Sequence, residues 1–375
     1  MSRFVSAPGE GREPGLIVRQ SSPLNLEYPF STLDDFLVPQ DRFYVRNHFP
    51  CPRVERDGWR LKVGGEVARE LSLGLDDLHA LPAVTLPAVM ECAGNGRVFY
   101  EPAKEGLQWA NGAVGNASWT GVRLDDVLDR AGLRDGAVEV VLVGADRGPV
   151  DGGKKTSSPG PIAFARSLPL TKARSDGVVL AYAMNGEPLT PDHGAPLRAV
   201  VGGWFGMAWV KWLAELRVVS RPFLGYWQAR DYFRWDRSFG EPILVPLTEM
   251  EPKAQIARPV QGGSVEVGRP TRIFGAAWSG EAPVAEVAVD TGEGAWRPAT
   301  LLEPATEHGW RLWEHWWTPT AAGPCQLRCR ARDAAGRVQP ETPQTDRESY
   351  CANWVIPVGI RVVPAAQSAE PEFVI

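Results

Sequence analysis

No apolar run in the 375-residue chain approaches the ~20 residues that a membrane-spanning helix needs. The first residues, Met1-Ser2-Arg3-Phe4-Val5-Ser6-Ala7-Pro8-Gly9-Glu10, hold neither an apolar export core nor a twin-arginine pair, so a cytoplasmic protein is expected. Cysteine is scarce. The five thiols (Cys51, Cys92, Cys325, Cys329, Cys351) show no C-x-x-C spacing, which excludes the common zinc and thioredoxin-type patterns. Cys325 and Cys329 share one alternating strand, about 13 Å apart and too far for a disulfide, so the thiols are expected to be reduced. There is no Gly-x-Gly-x-x-Gly and no Walker sequence, so nothing points to a nucleotide site. A formal net charge of −5 argues against nucleic acid as a partner.

What is present is apolar, aromatic and long enough for two cores. Residues 1–40 are rich in Pro and Ser and read as an arm draped over the body. Residues 41–245 mix short apolar runs with one clear amphipathic helix. The runs Trp59 to Val63, Val84 to Met90, Val138 to Val143, Leu197 to Val201 and Trp209 to Val219 read as strands. Leu124, Val127, Leu128 and Ala131 have helical spacing, opened by Asp125 and Asp126 and closed by Gly132. Strand and helix do not alternate regularly, so the class is α+β rather than a doubly wound sheet. Residues 241–258, punctuated by Pro242, Pro246 and Pro252, read as a linker. From 246 to 375, short alternating segments recur (Val284 to Asp290, Leu312 to Trp317, Gln326 to Arg332, Val355 to Val363), the pattern of an all-β immunoglobulin-like sandwich.

Four segments concentrate polar chemistry between apolar flanks. Cys92 ends the apolar stretch Val84 to Met90 and enters Ala93-Gly94-Asn95-Gly96-Arg97. A thiol there leaves a rigid strand onto a turn, and Arg97 can attract an anion. The alternatives are a nucleophile, a soft metal ligand, or an inert buried cysteine. In Phe43-Tyr44-Val45-Arg46-Asn47-His48, strand alternation puts Arg46 and His48 on one face, as oxyanion donors or as a solvated strand end. Asp192-His193-Gly194 leads to Arg198, either as a phosphate-facing pair or as a plain turn. Asp231 beside Tyr232 either holds a phenol over a site or anchors a core.

Taken together, these segments resemble the sulfite oxidase family of molybdenum enzymes. Further matches are Gly106-Leu107-Gln108-Trp109, Gly144-Ala145-Asp146, Ala181-Tyr182-Ala183-Met184-Asn185-Gly186 and Val210-Lys211-Trp212-Leu213. Gly275-Ala276-Ala277-Trp278-Ser279-Gly280 and Val338-Gln339-Pro340 resemble the family's dimerisation domain. The resemblance implies a mixed α/β molybdopterin-binding domain followed by the sandwich, and a Mo-molybdopterin cofactor. It implies Cys92 as the metal ligand. Tyr44, Val45, Arg46, Asn47, His48, Asp146, His193, Arg198, Trp209, Val210 and Lys211 would hold the pterin. Arg46, Arg97, Trp109, Asp231 and Tyr232 would serve the substrate. The implied reaction is oxidation of sulfite to sulfate by oxygen-atom transfer, with electrons leaving to an external acceptor such as a cytochrome c. A homodimer is expected, with Trp313, Trp316 and Trp317 at its interface.

The chain departs from that family at three places. Gly96 stands where the first of two arginines is usual. Met207-Ala208-Trp209 replaces Ala-Arg-His. Val355-Ile356-Pro357 follows Asn353-Trp354 where vertebrate members carry His-Arg. These departures keep open a same-fold molybdenum enzyme acting on nitrate or an S-oxide.

Overall fold

The protein is described by a computed structural model covering residues 15–151 and 157–365. Its N-terminal body rests on two five-stranded sheets. One runs Glu187–Pro188, Val178–Met184, Val114–Arg123, Ala83–Glu91, with Arg198–Val201 also paired to Val178–Met184. The other runs Leu71–Leu73, Leu61–Gly65, Leu213–Val219, Glu139–Pro149, Pro161–Pro169. Only Leu61–Gly65 beside Leu213–Val219 is a parallel pair in these two sheets. This is the α+β class.

The helix Leu124–Ala131 forms as its spacing predicts. It buries Leu124, Val127, Leu128 and Ala131, and Gly132 closes it with a positive φ of 71°. Each large apolar side chain so buried contributes about 1.5–3 kcal/mol, so Val127→Asp would undo the packing of this helix on the sheet.

The C-terminal body is a sandwich. Its four-stranded sheet is Lys253–Arg258, Thr271–Trp278, Arg311–Trp317, Thr300–Leu301. Its five-stranded sheet is Ser264–Glu266, Val358–Val363, Gly323–Asp333, Val284–Asp290, Arg297–Pro298. Ile256, Ile273 and Trp313 from the first meet Val287, Val289, Leu327 and Ile360 from the second in one core. The alternation that defines these strands in the sequence is the alternation of core and solvent faces.

Five expectations change. Phe43 to His48, expected as a strand, makes only an isolated bridge between Val45 and Leu26 and otherwise runs irregularly. The arm read over 1–40 lies partly outside the described residues. Its described part forms a hairpin, Ile17–Ser21 with Leu24–Glu27, followed by buried Tyr28, Phe30, Leu33 and Val38, so it is built into the first core. The linker read over 241–258 is structured: Phe233–Asp236 pairs with Ile243–Pro246, and Lys253–Arg258 is a buried sandwich strand. Proline misled the reading, because Pro246 ends a two-stranded ribbon where a missing N–H costs little. The strand read over Trp209 to Val219 begins only at Leu213, because Trp212 takes a positive φ of 49° and turns the chain. Trp313 is fully buried in the sandwich core and cannot be an interface residue, whereas Trp316 is 59% exposed.

Candidate active site

Cys92 follows the last residue of the strand Ala83–Glu91 and is held at the strand end by its N–H donating to the Ala113 carbonyl at 2.9 Å. The turn closes with Asn95 N–H on the Cys92 carbonyl at 2.8 Å and Arg97 N–H on the Gly94 carbonyl at 3.1 Å. Gly96 sits at φ 89°, and a Cβ there would stand 2.9 Å from the Ala352 Cβ. That close approach of the C-terminal segment, with the left-handed backbone, accounts for glycine at this position.

Two cavities meet at Cys92. The inner one is the less open of the two, and its lining includes Tyr44, Val45, Arg46, Asn47, His48, Cys92, Asp146, His193, Arg198, Trp209, Lys211 and Tyr232. The outer one is an open cleft that shares Arg46, Asn47, His48, Cys92 and Tyr232 and adds Arg97, Trp109, Asp231, Trp227 and Tyr350. Every site residue expected from the sequence lines one or both cavities except Val210. That residue is buried beside them, its carbonyl taking the Ala199 N–H at 2.8 Å.

The inner cavity carries more positive charge than it neutralises. Arg198 is 2% exposed, donates to the carbonyls of His193 (3.1 Å) and Trp209 (3.2 Å), and has no carboxylate partner among the described residues. Burial brings its guanidinium down to about 10. Lys211 donates to the Asn47 side chain and to the Asp192 carbonyl. Burial, helped by the charge of Arg198, lowers its ammonium to about 7. Burial raises the facing carboxyl of Asp146 to about 6. His193, lowered by burial to about 3, is neutral; its Nε2 donates to the Gln40 carbonyl at 2.9 Å, leaving Nδ1 as an acceptor.

Buried cations without anions are costly. The cavity is therefore shaped for an anionic ligand with many hydrogen-bonding groups, which is what a phosphate-bearing pterin is. Among the described residues no three His, Cys, Asp or Glu side chains converge on a metal. A metal here would take one thiolate from the chain and its remaining ligands from the cofactor, and the residues present fit that arrangement.

The outer cleft is walled by aromatic rings. The His48 ring lies 4.6 Å from Phe164 and 4.4 Å from Trp227, and its Nε2 shares a 2.6 Å hydrogen bond with the Tyr232 hydroxyl. Burial, with Arg46 and Lys211 nearby, holds His48 well below its ordinary range, and burial raises the Tyr232 phenol, so the pair is neutral near pH 7. Asp231 does not hold Tyr232, as its neighbouring position suggested. Its carboxylate accepts the Tyr350 hydroxyl at 3.0 Å. Arg97 is 5% exposed; Nη1 donates to the Leu107 carbonyl at 2.7 Å, Nε to Ser349 at 3.0 Å, and the guanidinium lies 5.1 Å from the Tyr350 ring centroid. Gly94 and Gly106 make room for it, since a Cβ at either would stand within about 3 Å of that guanidinium.

Three contributors were not read from the sequence. Tyr350 arrives from beyond the sandwich strand Gly323–Asp333, more than 250 residues from Cys92 in the chain. Trp227 opens the π-helical turn Trp227–Asp231 that presents Asp231 and Tyr232. Arg166, fully buried, braces that turn through the carbonyls of Trp227 and Leu247. The Pro-poor aromatic run Tyr226-Trp227 was the available signal for the turn; Tyr350 offered none.

The family described as oxidoreductase molybdopterin binding domain matches residues 48–227. The mitochondrial sulfite oxidase of Macaca fascicularis is 37% identical over 354 residues, covering 88% of this chain and 62% of that protein's length. The sulfite oxidase of Arabidopsis thaliana is 30% identical over 373 residues, covering 89% of this chain and 90% of the relative. Among solved structures, the sulfane dehydrogenase SoxCD from Paracoccus pantotrophus superposes with a TM-score of 0.78 at 25% identity, covering 95% of this chain and 92% of that one. The chain therefore belongs to the sulfite oxidase family of molybdenum oxidoreductases, with molybdenum-molybdopterin as its cofactor.

Proposed function

We propose that this protein oxidises sulfite to sulfate at a molybdenum ligated by Cys92 and passes the electrons to an external acceptor such as a cytochrome c. The observation that carries the proposal is the place of Cys92, at the junction of a cation-rich inner cavity and a more open cleft lined by half-buried Arg46 and buried Arg97. When bound, molybdenum-molybdopterin supplies oxygen-atom transfer and takes up two electrons.

The chain's own residues do the rest. Arg198, Lys211 and His193 would hold the pterin and its phosphate in the inner cavity. Arg46 and Arg97 would neutralise and orient the incoming oxyanion in the cleft. The Tyr232 hydroxyl, accepting from the Nε2–H of the neutral His48 imidazole, would donate its own hydrogen to a substrate oxygen. Trp109 and Trp227 would form walls that limit water at the reacting face. The net change balances: sulfite and one water give sulfate, two protons and two electrons.

Nitrate or an S-oxide is the second reading, and it rests on Gly96 and Met207–Trp209. Met207 and Trp209 line the inner cavity, and Gly96 lies against Ala352. None of them lines the cleft where substrate would enter. That favours sulfite. Steady-state assays of the molybdenum-loaded protein with sulfite, nitrate and dimethyl sulfoxide test the choice. Turnover of nitrate or the sulfoxide, with none of sulfite, would reverse it.

A further inference from the structure

Glu91 immediately precedes Cys92, and its carboxylate is 3% exposed. Three donors converge on it. Oε1 accepts Lys253 Nζ at 2.8 Å and Asn95 Nδ2 at 3.0 Å, and Oε2 accepts Trp278 Nε1 at 2.8 Å. Lys253 and Trp278 stand opposite each other on adjacent strands of the C-terminal sandwich, and Lys253 is 2% exposed. The far side of the turn is pinned too: Asn95 Oδ1 accepts the Ala113 N–H at 3.1 Å, while the Ala113 carbonyl accepts the Cys92 N–H at 2.9 Å. A hydrogen-bonded path therefore runs from the sandwich through Glu91 and Asn95 to the backbone of Cys92.

A buried ion pair is a poor way to gain stability, because well-packed apolar residues of like volume do as well or better. Its value lies in direction. A carboxylate offers only acceptors, and here they fix three donors from two bodies in one geometry. Strand alternation turns the Glu91 side chain toward the sandwich while Cys92 faces the cavities.

We propose that Glu91, clamped by Lys253 and Trp278, is the positioning residue that sets the orientation of Cys92, so that the sandwich is a working part of the metal site. This rests on the reading of Cys92 as the metal ligand.

The test compares Lys253→Met, Trp278→Phe and the double variant Glu91→Gln/Lys253→Met with the unaltered protein. The readouts are amide exchange of the Cys92–Arg97 turn in cofactor-free protein, molybdenum content, the thiolate-to-molybdenum absorption band, and kcat and KM per bound molybdenum. Lys253→Met strands a buried carboxylate. Turn exchange should quicken about tenfold, the band should shift, and kcat should fall about tenfold with KM within about twofold. The double variant, with a neutral amide and no stranded charge, should recover to within about threefold. A drop in unfolding temperature alone, with turn exchange and band unchanged, would reduce the clamp to a structural strut and overturn the proposal. If Lys253→Met does not fold, Trp278→Phe keeps the ion pair and loses one donor. It should still speed turn exchange, and unchanged exchange overturns the proposal. A Cys92→Ser protein that loads molybdenum and keeps the band would instead show that the ligand reading had failed, whatever the clamp variants do.

Discussion

Arg97→Met removes a guanidinium that the structure uses twice. It lines the cleft, and it ties the Cys92 turn to two other segments through the carbonyls of Leu107 and Ser349. The methionine fills similar space without donors, so both carbonyls lose a charge-assisted partner in a site that is 5% exposed. Each such bond contributes about 1.5–3 kcal/mol, and partial access of water from the cleft brings the combined stability loss to about 3 kcal/mol. The lost contact to the anion is of the same size, which raises the sulfite KM about 10- to 150-fold. Molybdenum content should change little, because Arg97 does not line the inner cavity. Arg97→Lys restores charge but not the fork, and should recover part of KM and little stability. The assays are steady-state sulfite kinetics and urea unfolding on the same preparations. Lower stability with kcat and KM unchanged would refute a substrate role and leave Arg97 as a strut between loops.

Cys92→Ser should fold but lose turnover, since a hydroxyl is a hard and poorly ionised ligand; full activity at normal molybdenum content would remove Cys92 from the metal. His193 should make the cofactor-free protein acid-labile. Its folded value of about 3 lies below the ordinary 6.5, so the unfolded chain binds the extra proton in that window, and stability falls as pH drops from 6.5 toward 3. His193→Asn should flatten the pH dependence of the urea midpoint, and an unchanged slope would contradict this assignment. The sandwich should mediate a homodimer, with exposed Trp316 rather than Trp313 as its aromatic contact; sedimentation showing a stable monomer at micromolar concentration would refute it.

The parts of the molecule legible in the sequence were those set by local pattern. The helix Leu124–Ala131 and the strands Ala83–Glu91 and Val284–Asp290 follow from periodicity, which records directly which face meets the core. Arg46 and His48 line the same two cavities, although residues 43–48 form no strand and Val45 makes only an isolated bridge to Leu26. What escaped depends on contacts between distant segments. Tyr350 reaches Asp231 across 119 residues, and Lys253 reaches Glu91 across 162. Neither residue type nor spacing signals such a meeting. Over 241–258, Pro246 ends a ribbon rather than marking a linker, and an aromatic cluster such as Trp313, Trp316 and Trp317 carries no sign of which member faces inward.

Anaerobic titration of the molybdenum-loaded protein with sulfite tests the central claim most directly, with metal and pterin measured on the same sample. One sulfite per molybdenum should bleach the oxidised spectrum and appear as sulfate, and Cys92→Ser should show no such bleaching. A fully loaded protein whose spectrum is untouched by excess sulfite would contradict that claim.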